Sequence, residues 1–512
     1  MYHHYRNIKH MKKAATALLL VTLFMACKKS DDAPAEVIVN EDPATYKEIA
    51  SLNLGGLGSA EITTFDPQTK RLFAVNNGTL NKIDVIDIAN PAAISVIHSI
   101  SLATYGGYVN SVDVSNGKLA AAIEASNKQN PGKVVVFNTS TYAEEKVITV
   151  GALPDMVVYS PDGKYILTAN EAEPDATYTN DPEGSVSIIN VTDNYSVTTL
   201  NFAFFASQLT ALTTKGFRVF GPGKDIIKDV EPEYITVSSD SKTAWVTLQE
   251  NNAIAVIDLT TKAITKIFPL GFKDYNTAAN AIDPSDKEGG INFTPWKVFG
   301  TYMPDAITST NYNGTTYLFT ANEGDAREYT GFSEIKRIKD VALDATAFPA
   351  AATLKLDAQL GRLNITTTLG DTDNDGDFDA LYSFGARSFS VWNGSTGELV
   401  FDSKNELDVK AKELGVYDDN RSDDKGAEPE AITLGKVGTK TIAFVGMERV
   451  DAVAVYDVTN PTAPVFIKMF ATGDAPEGVL FIPSSKSPIG QSLVVVSSEN
   501  DGVIKIYRAD KL

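Results

Sequence analysis

The heptapeptide YILTANE at residues 165–171 returns as YLFTANE at residues 317–323. Each run is rich in β-branched and aromatic residues, ends on Asn-Glu, and reads as a short strand. Each stands behind a Pro-Asp pair (Pro154-Asp155, Pro304-Asp305) and ahead of another apolar run, VSIIN or SFSVW. The same unit recurs along the chain. Its openings fall at Ala60-Glu61-Ile62, Asn110-Ser111-Val112, Pro154-Asp155-Met156, Pro232-Glu233-Tyr234, Pro304-Asp305-Ala306, Pro429-Glu430-Ala431 and Pro476-Glu477-Gly478. The second strands that follow are RLFAVNN, KLAAAIEAS, YILTANE, AWVTLQEN, YLFTANE, IAFVGME and LVVVSSEN, and the third strands run from IDVIDI to VIKIY.

A fourth strand follows the first six copies, as in AITKIFPL (263–270) and PVFIKMF (464–470), whereas the seventh copy reaches Leu512 without one. Ahead of the first copy, YKEIASLNL (46–54) has the character of those fourth strands. The expected fold is all-β: a seven-bladed β-propeller over residues 46–512, closed by an N-terminal outer strand so that no sheet edge is left free.

YILTANEAEPD, EPEYITVS, YLFTANEGDAREY, DTDNDGDFDALYSFGARSFSVW, AEPEAI and APEGVLFIP together resemble the choice-of-anchor I family, over roughly residues 46–510. The chain is similar also to an animal mesenchymal cell-surface glycoprotein. The resemblance implies an extracellular propeller fixed to cells by one of several devices. It carries no agreed catalytic residues, so none is transferred.

The 512 residues hold 45 Lys plus Arg against 65 Asp plus Glu, a net charge of −20, and 43% are hydrophobic. That apolar fraction supports a packed core, and the acidity argues against nucleic acid as a partner. Residues 1–26 carry Lys12-Lys13 and an apolar run from Ala14 to Met25, too short for a stable bilayer span and built like a secretory signal. Cys27, the single cysteine, resembles the lipidated cysteine of a bacterial lipobox, although Phe24-Met25 departs from the usual residues. The alternative is an ordinary signal that leaves a free thiol. Residues 27–45 read as a flexible acidic tether, resembling export signals of Bacteroidetes surface lipoproteins. An outer-membrane lipoprotein, monomeric and exposed at the cell surface, is expected, with a periplasm-facing anchor as the alternative.

His3, His4 and His10 fall in the signal, which leaves His98 alone in the mature chain. Histidine-rich or cysteine zinc sites, thiol nucleophiles, disulfides and haem ligation are thereby set aside. A Ser-His-Asp triad would depend on His98, inside the strand-like VIHSI.

Propeller geometry places the start of strand one and the end of strand two on one face, around the mouth of the central channel. The first position holds Glu61, Ser111, Asp155, Glu233, Asp305, Glu430 and Glu477; the second holds Asn77, Glu124, Glu171, Glu250, Glu323, Glu448 and Glu499. Carboxylates this crowded raise one another's pKa unless compensated. Compensation by backbone amides would make each acid a clasp between blades. Compensation by a hard divalent cation would make the mouth a metal site. Arg327, Arg387, Arg421 and Arg449 lie near these acids in sequence, and Arg327 and Arg387 are candidate anion contacts. The long segments 172–184, 201–229, 272–302, 324–380 and 403–427 all emerge on this face, the usual place for function on a rigid scaffold.

Insertion 324–380 contains Asp371-Thr372-Asp373-Asn374-Asp375-Gly376-Asp377-Phe378-Asp379. Oxygens at positions 1, 3 and 5, glycine at 6 and an acid at 9 resemble a calcium loop, with Asp371, Asp373, Asp375, Asp377 and Asp379 as ligands. Position 12 is Tyr382, so another segment must supply the missing ligand. The leading functional reading is a surface ligand-binding or adhesion module with a calcium-stabilised acidic face. The alternative is a metal-dependent phosphoesterase or lactonase using a second divalent cation in the channel mouth.

Overall fold

A computed structural model describes residues 39–512 of the chain. The signal segment 1–26, Cys27 and the tether up to residue 38 lie outside the described residues. The rest is all-β, organised as seven four-stranded antiparallel sheets in a propeller-like arrangement.

Within six of the seven sheets the strands follow in chain order, as in Pro154–Tyr159, Tyr165–Asn170, Ser185–Asn190 and Ser196–Leu200. Second and third strands such as Leu493–Ser498 and Ala452–Asp457 are buried on both faces, which is why their sequences run continuously apolar. Outer strands such as Ser95–Ser101 face solvent and carry polar residues. Asn116-Gly117 and Asn313-Gly314 turn the first strand into the second with both residues at positive φ (51°, 75°, 52° and 81°), the geometry that favours Asn-Gly in two-residue hairpins.

The seven first strands are Thr63–Asp66, Val109–Ser115, Pro154–Tyr159, Ile235–Val237, Ile307–Tyr312, Pro429–Val437 and Pro476–Ile482. Each packs beside the next, and the last packs beside the first. Neighbouring sheets share apolar layers in the same order. Phe73, Val85, Leu119 and Val135 join the first pair. Phe65, Leu72, Val495 and Ile504 join the seventh sheet to the first.

The outer strand of the seventh sheet is Glu41–Asn53, antiparallel to Val503–Lys511 with Ala50 opposite Ile506. It starts five residues inside the segment 27–45 read as tether. Glu41 is responsible: its buried carboxylate accepts the Ser492 N–H (2.9 Å) and hydroxyl (2.6 Å), docking the strand's beginning.

The insertions are folded, not loose. Tyr275, Val298, Ile338, Phe348, Leu363 and Phe378 form a small apolar core of their own, drawn from 272–302 and 324–380. A three-stranded sheet joins Phe272–Asp274, Phe299–Thr301 and Tyr382–Ser383.

Candidate functional site

A cavity of about 270 Å³ opens among the first strands, and eight of the twelve predicted ring acids line it. Asp155, Glu233, Asp305, Glu430 and Glu477 come from strand starts, and Glu171, Glu250 and Glu323 from strand ends. They converge because antiparallel pairing returns the end of strand two to the start of strand one, as in the pairing of Pro429 with Met447. Asp325, from the longest insertion, is added to the wall. Single oxygens of Asp305, Glu323 and Glu430 lie within 4.8 Å of one another.

Two of the mouth positions meet backbone groups. Asn77 bonds the Val109 backbone of the next sheet through both ends of its amide (2.8 and 3.2 Å) and also donates to Glu61 (2.8 Å). Glu124 accepts the Tyr108 N–H (3.2 Å). By contrast, Glu233, Glu250, Glu430 and Glu477 each keep a buried Oε2 with no hydrogen-bond partner among the described residues. Glu233, Glu430 and Glu477 are half-buried as residues, but these oxygens are hidden. Burial first, and neighbouring carboxylates second, push all four well above the usual carboxylate range. Asp155 is pushed up to about 6, mainly by burial with Glu124 adding to it. Asp305 and Glu171 are raised by the same causes.

Glu323 behaves differently. Burial pushes it up, but the Lys425 ammonium at 2.8 Å and the Gln249 amide at 2.8 Å bring it below its ordinary value. Lys425 was not singled out from sequence. It arrives on insertion 403–427, and its amine also meets Glu428 at 3.2 Å. Glu448 stands beside these groups, paired with Arg449 at 2.9 Å. Arg421 neutralises Glu428 (2.8 Å) and Asp424 (2.8 Å). Glu61, Glu124, Glu448 and Glu499 are outside the cavity's lining.

Arg327 and Arg387, expected as anion contacts, are internal ties instead. Both are 2% exposed. Arg327 holds Glu231 (3.0 Å) and the side chain and carbonyl of Asp229. Arg387 donates to the carbonyls of Asp283 (3.0 Å), Ser422 (2.7 Å) and Asp424 (3.0 Å), tying two insertions together. Buried and turned towards internal acceptors, neither guanidinium faces an incoming anion.

His98 is exposed on the outer strand of the first sheet, stacked on Tyr142 with ring centroids 4.5 Å apart, and it lines none of the cavity. A larger groove of about 910 Å³ lies by the Pro161, Ser239 and Asp240 turns, where Lys242 and Lys266 balance Asp240 and Asp258.

In the aspartate loop, Gly376 takes φ +97° and donates to Asp371 at 3.1 Å, as the sharp turn requires. Asp373 and Asp375 accept backbone N–H groups two residues on (3.3 and 3.1 Å). Asp371 keeps one buried oxygen unpartnered. Asp377 and Asp379 are joined by Asp344, a carboxylate oxygen of each lying within 4.8 Å of the others. The bridge between Leu343 and Phe378 brings Asp344 there.

Residues 61–461 match the family model described as the choice-of-anchor I domain. Gigasin-3a of Magallana gigas is 30% identical over 185 residues, 30% of this chain and 65% of that protein. The mesenchyme-specific cell surface glycoprotein of Strongylocentrotus purpuratus is 26% identical over 340 residues, 55% of this chain and 43% of that protein. The chain thus spans less than two thirds of either relative. A chain of Kuenenia stuttgartiensis hydrazine synthase superposes with a TM-score of 0.49 at 12% identity, covering 89% of this chain and 97% of that one, a likeness too slight to carry fold or function.

Proposed function

The chain belongs to the choice-of-anchor I family, and from that premise we propose that it is a surface-displayed, seven-bladed β-propeller that recognises an extracellular ligand through a hard divalent cation held in its acidic channel mouth. The cyclic packing of the seven first strands supports the blade count. The signal, Cys27 and tether support a lipid anchor in the outer membrane, and the name of the sea-urchin relative agrees with a surface location.

One observation carries the cation: buried, unpartnered oxygens of Glu233, Glu250, Glu430 and Glu477 around one cavity. Buried charges without partners are costly, and an oxygen-only donor set suits calcium or magnesium. At about 30 Å³ per water, the cavity has room for a cation, its waters and a small ligand group. A larger ligand would therefore cap the mouth. A calcium ion in Asp371–Asp379, with Asp344 supplying the ligand that Tyr382 cannot, would brace insertion 324–380.

The same unpartnered carboxylates favour a second reading, a hydrolase in which the cation activates water. It is the weaker one, because Arg327 and Arg387 are not free to meet a phosphate or carboxylate. The test is binding of the full-length chain to printed acidic and neutral glycans and matrix peptides, in calcium and in chelator. Calcium-dependent binding, lost in a chain carrying Glu250→Gln, Glu430→Gln and Glu477→Gln together, is expected. Turnover of p-nitrophenyl phosphate or a lactone, lost in the same variant, would replace the binding reading with the hydrolase. Binding indifferent to chelator would overturn the cation's role.

A further inference from the structure

The sequence Glu-Pro-Glu occurs at two openings, Glu231-Pro232-Glu233 and Glu428-Pro429-Glu430. In both the second glutamate is a ring acid and the first lies outside the repeat. The fold builds the same trio around each first glutamate. Glu428 meets Glu323, from the preceding sheet, and Glu448, from its own. Glu231 meets Glu171 and Glu250, from the equivalent strand ends. In each trio one oxygen per residue lies within 4.8 Å of the others.

The two trios differ in what neutralises them. The first contains a protein cation: Lys425 bonds Glu323 at 2.8 Å and Glu428 at 3.2 Å, with Arg421 and Arg449 beside it. Among the described residues the second has no such ammonium. Lys128 nearby is paired with Glu173. Arg327 takes Glu231 Oε2 (2.8–3.0 Å) and is shared with Asp229. Glu231, 1% exposed, is left with an unpartnered Oε1, and Glu250, 5% exposed, with an unpartnered Oε2. Glu171 is half-buried and completes the set.

This trio sits on fixed backbone. The Asn251 side chain accepts the Glu231 N–H (3.1 Å) and donates to the carbonyl of Asp229 (2.7 Å), locking the segment next to Glu250. Gly184 has no room for a side chain there, since a Cβ would lie 1.7 Å from the Val230 carbonyl oxygen.

We propose that Glu171, Glu231 and Glu250 bind a hard divalent cation of the calcium or magnesium class, which occupies the place that the Lys425 ammonium occupies in the twin trio, with Arg327 as the positioning residue that aims Glu231. This rests on the reading that the acidic mouth holds a cation, and it names where. Three carboxylate oxygens and water satisfy such an ion, and no nitrogen or sulfur ligand competes among the described residues.

The test is calorimetric titration of the chelator-treated, full-length chain with CaCl2 and with MgCl2, together with elemental analysis of bound metal. Glu250→Gln is the first variant, because among the described residues the Glu250 side chain accepts no hydrogen bond that folding could miss. Glu231→Gln is the second, its amide oxygen still able to accept from Arg327. Each is expected to lose one bound equivalent or to weaken it at least about tenfold, while Asp373→Asn retains that equivalent. Wild-type binding in both variants would overturn the proposal. If Glu430→Gln loses the ion and Glu250→Gln keeps it, the cation sits at Asp305–Glu323–Glu430; the broader reading then stands and this one falls. No uptake by the wild-type chain would defeat both.

Discussion

Glu61 shows how the mouth stores charge. Burial first, then the Glu499 and Asp155 charges, push its carboxyl up to about 8 against the partial opposition of the Asn77 amide. Burial and the Glu323 charge push Glu448 up to about 7. Both ordinarily titrate at 4.5, so between that value and about 8 the folded chain binds more protons than the unfolded one. Stability contributed by these groups is therefore present at low pH and lost as pH rises through that window. In chelator, the melting temperature is expected to fall from pH 5 to pH 8, and Glu61→Gln to flatten the fall. Scanning calorimetry at several pH values checks this; a flat or rising trend would contradict it. At this scale the sequence was informative about the ring acids and uninformative about their partners. Lys425 and Arg327 reach the acids from insertions, and no local pattern tells which buried acceptor a long side chain will meet.

Among the elements, the aspartate loop has the clearest prediction. If calcium fills Asp371–Asp379, saturation at a hundred times Kd adds about 2.7 kcal/mol to stability. Asp373→Asn and Asp344→Asn are each expected to remove most of that gain, measured as the calcium-induced shift of the unfolding midpoint in denaturant. An equal shift in wild type and variants would place the calcium elsewhere. The loop itself was legible, since its spacing is local. Asp344 was not: it lies 27 residues before Asp371, and only the Leu343–Phe378 bridge brings it across.

For the whole molecule, the decisive feature is the joining of Glu41–Asn53 to Val503–Lys511. Tyr46 is 1% exposed, packs edge-on against Phe444 at 5.2 Å, and its hydroxyl meets Ser492 at 3.0 Å. It thereby couples the sixth and seventh sheets. Tyr46→Ala is expected to cost about 3–5 kcal/mol, seen as an earlier single unfolding transition in denaturant. A separate early transition for the seventh sheet alone would show that the sheets do not unfold as one unit.

The sequence by itself determined the seven repeats, their four-stranded units, the outer strand supplied from the N-terminal side, and the alignment of acids at equivalent positions. These follow from period-two patterning, turn chemistry and repetition, all of which act over a few residues. Tertiary structure alone decided which acids go unpartnered, that Arg327 and Arg387 serve the interior, that the insertions share a core, and that Glu231 faces Glu171 and Glu250. Electrostatic partnership depends on distances between segments far apart in the chain, and only the packing of the sheets sets those distances.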